Sequence, residues 1–277
     1  MALKLFFITN DPQVALIAEK HGVDRIWIDL ETLGKAERQP GNTVKSDHKT
    51  NDIRRIKPLL TRSEMLVRVQ PWNDSSAEEI NKVVEAGADI IMLPMWKSVT
   101  EVESFLKAVD HRAKTSLLLE TREAADCIDD ALKLQPDEIH IGLNDLHLSY
   151  KMDFMFEPLA NGCVESLCRK IGDAGIPYGF GGIASLGKGL LKSDMVIMEH
   201  YRLGSTRAIL SRSFCNVQGK SIEEIGKIFE SGMKELRKYE ELCANASDEQ
   251  YRENQMNVIN TVHEIVKTIR ENRGSEA

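Results

Sequence analysis

Short apolar segments rich in β-branched residues alternate with helical patterns along most of the chain, and this alternation constrains the fold most strongly. The predicted strands are "LKLFFIT", "RIWIDLE", "EMLVRVQP", "DIIMLPMW", "KTSLLLE", "EIHIGL", "IPYGFGG" and "MEHYRLGS". Eight strand–helix units over about 220 residues are typical of a parallel sheet that is covered on both faces. Their number and spacing predict an α/β fold, a (β/α)8 TIM barrel with a C-terminal helical extension. A doubly wound open sheet is the alternative.

Two of the predicted strands end in a carboxylate. "SLLLE" ends at Glu120, and "IHIGLND" ends at Asp145. In a (β/α)8 barrel the chemistry lies at the carboxyl ends of the strands, and neighbouring strands are about 4.8 Å apart. Two carboxylates there could bind one hard divalent cation, Mg2+ or Mn2+, which keeps several waters and accepts substrate oxygens. The alternative is that each acid only caps the helix that follows it.

Charged residues also stand near the ends of predicted strands 2 and 3. "IWIDLE" carries Asp29 and Glu31, and "LVRVQP" carries Arg68. Burying a charge without a partner is energetically costly. We therefore expect Arg68 to contact a carboxylate such as Glu31, as a structural salt bridge, or to hold an anionic ligand. The sequence leaves both alternatives open.

Five segments at these positions carry a family resemblance: "IDLE", "LVRVQPWND", "GADIIMLPM", "LLLET" and "IHIGLNDLHLS". In this order and at these separations they resemble the HpcH/HpaI aldolase and citrate lyase β-subunit family of the pyruvate/phosphoenolpyruvate barrel superfamily. The resemblance implies a metal-dependent carbon–carbon lyase of the aldolase type that acts on a 2-oxo acid through a pyruvate-type enolate. It also implies that Glu120 and Asp145 hold the divalent ion, which would be Mg2+, Mn2+ or another divalent cation.

The same resemblance implies roles for further residues. Arg68 would stabilise the enolate oxygen, and the backbone turn of Gly142, Leu143 and Asn144 would bind the substrate carboxylate. The substrates would be a 2-oxo acid and an aldehyde. Two other functions remain open: a citrate-lyase-like acyl-CoA lyase, and a non-catalytic barrel that binds a 2-oxo acid or phosphoenolpyruvate.

The chain departs from the family pattern at two positions. Thr32 stands where relatives carry histidine or aspartate after the "D-x-E" of strand 2, and Leu118 stands where the aldolases carry glutamine. Threonine cannot serve as a general base near neutral pH. These departures favour the non-catalytic alternative, whereas Lys35 and Arg38 after "IDLE" favour the acyl-CoA alternative.

The loop over residues 32–50 is much longer than most strand–helix connections and contains an Asp-His pair. We predict that His48, oriented by Asp47, transfers protons over the barrel mouth, and that Glu31 belongs to the same catalytic group. The alternative is a solvated surface loop in which this histidine has no role.

Further polar candidates lie near predicted strands 6, 7 and 8. We expect His140 to be packed in the core, while His147 is a weaker candidate for acid–base work. His200 and Arg202 would point to the same side of strand 8, either to an acidic substrate or to solvent. Three glycines of strand 7 could let backbone N–H groups approach an anion: Gly179, Gly181 and Gly182.

The composition excludes several classes of protein. A net charge of −7 argues against a nucleic-acid partner. No apolar run approaches the length of a membrane span, and no signal-peptide pattern is evident. The five cysteines include no CxxC pair, which indicates reduced thiols and a cytoplasmic protein.

The last part of the chain has a purely helical pattern. We assign residues 1–219 to the catalytic TIM barrel and residues 220–277 to C-terminal helices that complete the barrel and mediate oligomerisation. An extra amphipathic helix needs a surface to bury its apolar face. The family resemblance implies a homo-oligomer, either a dimer or a trimer of dimers. A helix folded back on its own barrel is the alternative.

Overall fold

Nine parallel strands form a nearly closed barrel in the computed structural model, which describes residues 2–34 and 47–275. The strands are β1 (Lys4–Ile8), β2 (Arg25–Asp29), β3 (Glu64–Arg68), β4 (Ile90–Leu93), β5 (Lys114–Leu119), β6 (Glu138–Ile141), β7 (Tyr178–Phe180), β8 (Gly182–Ile183) and β9 (Arg207–Leu210). Their hydrogen-bonded order is β7-β6-β5-β4-β3-β2-β1-β9-β8. Only Gly181, with φ of 53°, separates β7 from β8. These two short strands together occupy one strand position of the barrel. The predicted barrel with eight strand positions is therefore confirmed.

Helices surround the strands, as the alternating pattern predicted. Those described are α1 (Pro12–Lys20), α2 (Thr50–Ile56), α3 (Ser76–Ala86), α4 (Val99–Val109), α5 (Arg122–Asp126), α6 (Ile128–Leu132), α7 (Leu143–Ser149), α8 (Glu157–Ala160), α9 (Cys163–Asp173), α10 (Ser193–Arg202), α11 (Ile222–Ala244) and α12 (Asp248–Ser275), with a 3-10 turn at Lys57–Leu59. Within the described ranges, no helix has the length and apolar character needed to cross a bilayer.

The strands are buried on both faces. Every residue of β2, β4 and β6 is buried, because one face packs against the helices and the other faces the barrel interior. Six side chains fill the interior as a separate apolar cluster: Phe6, Trp27, Leu66, Ile90, Met92 and Leu118. The barrel is therefore a packed core with its opening at one end.

The last strand lies later in the chain than the sequence predicted. Most of "MEHYRLGS" belongs to α10, and the final strand is β9. His200 is fully buried on α10, where its ring stacks on Phe180 at 3.9 Å between centroids. Arg202 pairs with Glu199 on the same helix at 2.7 Å. The prediction that these two residues point together from a strand is wrong, because a four-residue strand carries less periodic signal than the ten-residue helix before it.

The two C-terminal helices pack against the barrel of the same chain. Helix α11 contacts α1 and α10, and α12 contacts α10 and α8. Val258 and Val262 of α12 are buried, and Asn254 donates to Glu199 at 2.9 Å. The apolar face of α12 is thus largely covered by the chain's own outer helices. The role of residues 220–277 in oligomerisation stays a prediction.

Candidate active site

A cavity of about 580 Å3 opens at the carboxyl ends of the strands. Trp27, Leu118 and Ile209 contribute apolar side chains that continue into the barrel interior. Four charged side chains that the strand ends bring together also line it: Asp29, Arg68, Glu120 and Asp145. Residues that are far apart in sequence meet here because all parallel strands of a barrel end at the same rim.

Arg68 ends β3 and is held by two carboxylates. Its Nε and Nη2 donate to the two carboxylate oxygens of Asp29 at 2.8 and 2.9 Å, and its Nη1 lies 3.2 Å from Oε2 of Glu31. The guanidinium also lies over the ring of Trp27, 5.2 Å from the centroid. Burial alone would lower the pKa of Arg68, but Asp29 and Glu31 raise it above its usual range. The predicted contact with Glu31 is confirmed.

Asp29 is the partner that the sequence reasoning underestimated. It stands opposite Arg68 in the pairing of β2 with β3, so the two side chains leave neighbouring strands at the same level. A planar guanidinium and a carboxylate then form two parallel hydrogen bonds. The sequence feature that could have indicated this contact is an acidic residue at the end of one strand and a basic residue at the end of the next.

Glu120 follows β5 and is almost completely buried, with 3% of its surface exposed. The backbone N–H of Met95 donates to its Oε1 at 3.1 Å. Burial, and then the nearby negative charge of Asp145, raise the pKa of Glu120 well above its usual range. Asp145 lies in the first turn of α7, beyond the end of β6. The structure therefore brings the two predicted metal ligands to one cavity.

Gly142 lets the backbone pass close to Glu120. A Cβ atom at this position would lie 2.8 Å from Oε2 of Glu120 and 2.9 Å from its Cβ, which a side chain cannot do. The N–H of Gly142 donates to the carbonyl of Leu119 at 2.9 Å and so belongs to the sheet. Within the predicted carboxylate-binding turn, the remaining donors are the N–H groups of Leu143 and Asn144. They lie in the first turn of α7, where N–H groups lack partners within the helix.

The donors at this site suit a hard cation. Glu120 and Asp145 supply carboxylate oxygens and line the same cavity. In the described part of the chain, no three His, Cys, Asp or Glu side chains converge on one point. An ion held here would take its other ligands from water and substrate, as Mg2+ usually does. Its charge would also offset burial and the repulsion from Asp145, which together raise the pKa of Glu120. The residues present therefore fit a divalent ion.

His48 lies at the cavity, as predicted. The backbone N–H of Asp29 donates to its Nδ1 at 3.0 Å. The side chain of Asp47 instead points into solvent, with Lys49 Nζ 3.8 Å away. The backbone of Asp29 thus contacts His48, and the orientation of this ring by Asp47 stays a prediction. Because Nδ1 accepts a hydrogen bond, the neutral ring carries its proton on Nε2.

The two departures from the family pattern have different surroundings. The N–H of Thr32 donates to Oε1 of Gln70 at 2.9 Å. Leu118 lines the cavity and packs in the barrel interior. The cavity is therefore apolar where the aldolases were expected to carry an amide. Lys35 and Arg38 lie outside the described residues.

His140 and His147 are both buried. His140 Nε2 lies 3.1 Å from the carbonyl of Gly181, and burial lowers the pKa of His140 to about 4. His140 is thus a core residue, as predicted. His147 lies 3.3 Å from the carbonyl of Leu143 through Nδ1 and is not among the described residues that line the cavity.

The glycines of β7 and β8 serve close packing. A Cβ at Gly179 would lie 2.3 Å from the carbonyl oxygen of Arg207. The N–H of Gly181 donates to the carbonyl of Ile141 at 2.8 Å. The N–H of Gly181 is therefore engaged in the sheet, and the approach of an anion to the other two glycines stays a prediction.

One wall of the cavity was missed by the sequence reasoning. It is built by residues that follow β9, namely Ser211, Arg212, Cys215, Asn216, Val217 and Gln218. The segment has no regular period, and its place beside the cavity depends on the closure of β9 against β1. No local pattern could have revealed it.

Comparison with known families supports the resemblance of the five segments. The family described as HpcH/HpaI aldolase/citrate lyase matches residues 3–152. This match covers more than half of the chain and includes the strands that carry Arg68, Glu120 and Asp145. No curated protein sequence matches the chain.

Solved structures agree in fold. An HpcH/HpaI aldolase from Desulfitobacterium hafniense DCB-2 superposes with a TM-score of 0.60 at 14% identity, covering 85% of this chain and 93% of that chain. An HpcH/HpaI aldolase/citrate lyase family protein from Burkholderia cenocepacia J2315 gives 0.58 at 11% identity, covering 86% and 94%. The citrate synthase SbnG gives 0.57 at 17% identity, again covering 86% and 94%.

Proposed function

The chain belongs to the HpcH/HpaI aldolase/citrate lyase family, and from this premise we propose that it is a divalent-metal-dependent carbon–carbon lyase. It would cleave or form a bond next to a 2-oxo acid through an enolate, with an aldehyde as the second fragment. The observation that carries the proposal is the convergence of Glu120, Asp145 and Arg68 on one cavity. Glu120 and Asp145 would hold Mg2+ or Mn2+, which acts as a Lewis acid that polarises a carbonyl oxygen.

Arg68 would stabilise negative charge on the oxygen that becomes the enolate. Asp29 and Glu31 hold its guanidinium in a fixed orientation at the rim. A fixed donor needs no reorganisation when charge develops, and this is the main source of electrostatic catalysis. The salt bridge is therefore compatible with function: the carboxylates position the arginine, and Glu31 acts through it.

The substrate carboxylate would lie against the start of α7. The N–H groups of Leu143 and Asn144 lie in its first turn, beside Asp145. A 2-oxo acid carries its carboxylate next to its carbonyl group. The N–H groups of this first turn would therefore bind the carboxylate, while an ion held by Asp145 in the same turn would bind the carbonyl oxygen.

His48 would face the substrate with one of its two ring nitrogens. Since Nδ1 accepts the N–H of Asp29, Nε2 is the nitrogen that carries the proton of the neutral ring. In this orientation His48 would donate a hydrogen bond to a substrate oxygen through Nε2. A role as a base, as the sequence suggested, would require an unprotonated Nε2, so the proton would have to lie on Nδ1 and the contact with the N–H of Asp29 would break.

Proton exchange tests the proposal without knowledge of the aldehyde. In D2O with Mg2+ or Mn2+, the wild type should exchange the methyl protons of pyruvate, because this exchange requires only the enolate. Glu120→Gln and Asp145→Asn should lose both the exchange and the binding of Mn2+ in calorimetric titration, while far-UV circular dichroism stays unchanged. Metal binding without exchange would favour the non-catalytic binding barrel. Unchanged Mn2+ affinity in both variants would refute the metal site.

A further inference from the structure

The turn that follows β4 contains a backbone conformation that its residue type rarely adopts. Met95 has φ of 53° in the left-handed region. Such a conformation is uncommon for a residue other than Gly, Asn or Asp, and it stores strain that the surroundings must hold. Met95 ends the segment "GADIIMLPM", to which the family resemblance assigned no residue role.

The strained residue points its N–H at a carboxylate of the active site. The N–H of Met95 donates to Oε1 of Glu120 at 3.1 Å. The neighbouring residues fasten the same turn to the next strand: the hydroxyl of Thr121 donates to the carbonyl of Trp96 at 2.7 Å and accepts from the N–H of Ala124. The turn is thus attached to residues 120 and 121 at two points, the N–H of Met95 and the carbonyl of Trp96.

The other oxygen of Glu120 faces a different element. A Cβ on Gly142 would lie 2.8 Å from Oε2, so this oxygen is directed at the end of β6, from which Asp145 also comes. The hydrogen bond to Oε1 restricts rotation of the carboxylate and leaves Oε2 on the side of Gly142. Groups that orient a metal ligand in this way commonly change metal affinity by 10- to 100-fold when they are removed.

We propose that Met95 is a positioning residue: its left-handed turn holds Oε1 of Glu120 through the backbone N–H, so that Oε2 faces Asp145 and a divalent ion. This inference rests on the proposed metal site. It concerns the backbone of Met95, whose side chain is not among the described residues that line the cavity.

Backbone substitutions test the inference, with Mn2+ affinity from calorimetric titration as the readout. Met95→Val should weaken Mn2+ binding by about 10-fold or more, because a β-branched residue is a genuine outlier in the left-handed region and moves the N–H away. Met95→Gly should bind Mn2+ within about two-fold of the wild type, since glycine adopts the same φ without strain.

A matched control lies at the opposite end of the barrel. Gln135 has φ of 54° in the turn before β6, on the amino side of the strands. Gln135→Val should lower the melting temperature about as much as Met95→Val does, and leave Mn2+ affinity unchanged. Equal loss of affinity in both valine variants would overturn the inference, because general destabilisation would then explain it.

Two further measurements separate the possible failures. Replacing residue 95 by the ester analogue of methionine removes only the N–H, so it should weaken Mn2+ binding by about 10-fold even if Met95→Val does not fold. Wild-type affinity in the ester protein would overturn the inference alone, provided that Glu120→Gln abolishes binding. Failure of the wild type to bind Mn2+ would overturn both the proposed function and the role of Met95.

Discussion

Two glutamates at opposite ends of the barrel are buried to the same extent but have opposite electrostatic surroundings. Glu138 begins β6 and is 2% exposed, and Glu120 follows β5 and is 3% exposed. Burial raises the pKa of both carboxyl groups. At Glu138, hydrogen bonds and charge from Arg25 and charge from Arg207 outweigh it and lower the pKa. At Glu120, Asp145 adds to it, and the pKa lies well above its usual range.

The charges at the amino end neutralise one another. Arg25 donates to both oxygens of Glu138 at 2.5 and 2.8 Å, and Nε of Arg207 lies 3.2 Å from the same carboxylate. Glu64 adds a contact with Arg25 at 3.1 Å. At the carboxyl end, two nearby carboxylates instead raise the free energy of the ionised site, which a cation would lower. The comparison indicates that the paired buried charges at the amino end stabilise the fold, whereas the adjacent carboxylates at the carboxyl end favour the binding of a cation.

The largest effect is expected from His48→Ala. If the carboxyl end serves catalysis, turnover should fall by about two to four orders of magnitude, while Mn2+ affinity and the melting temperature stay near those of the wild type. His263→Ala is the control, because His263 is exposed on α12. Steady-state kinetics and calorimetric titration measure the two quantities. Wild-type turnover in His48→Ala would remove this residue from the mechanism.

At the amino end, Glu138→Gln should lower the free energy of unfolding by about 3 to 5 kcal/mol, because Arg25 is left buried without a full counter-charge. The lowered pKa of Glu138 means that its stabilisation is present above the unfolded pKa of about 4.3 and is lost as the pH falls through the lower folded value. The difference from the wild type in urea unfolding should therefore shrink in acid. A constant difference down to low pH would contradict the ionic explanation.

Replacing arginine by lysine should have different effects at the two ends of the barrel. Arg68→Lys should lower the rate of pyruvate proton exchange by about 100- to 1000-fold, because lysine cannot replace the planar fork of donors. Arg25→Lys should keep the exchange and lose stability instead, since its partner is the structural Glu138. If Arg68→Lys lost stability and kept exchange, the rim salt bridge would be structural as well.

The smallest expected effect has the opposite sign. Glu120→Gln should raise the stability of the metal-free protein by about 1 kcal/mol, because functional sites often retain destabilising groups. The sign follows from the pKa of Glu120, which is raised on folding, so its ionised form disfavours the folded state at neutral pH. Mn2+ should raise the melting temperature of the wild type and leave the variant unchanged. A less stable metal-free variant would show that Glu120 is already neutralised.

The positions of Arg68, Glu120 and the apolar strands could be predicted because they depend on local patterns. A run of β-branched residues with a charged residue near its end places that residue at the rim of a parallel barrel, whatever the rest of the chain does. The same reasoning misplaced the last strand, because "RAIL" is only four residues long and follows a more strongly patterned helix. It also did not reveal the contact between His48 and the backbone of Asp29, because this contact joins residues 19 positions apart in the chain.

By itself, then, the sequence determined the alternation of strands and helices, the rim position of the carboxylates, and the family that these segments resemble. Only the tertiary structure decided that Asp29 holds both Arg68 and His48, that the backbone of Met95 donates to Glu120, and that the segment after β9 lines the cavity. These contacts join residues from different strand positions of the barrel. Their geometry depends on strand register, backbone turns and close packing, which no local period of the sequence encodes.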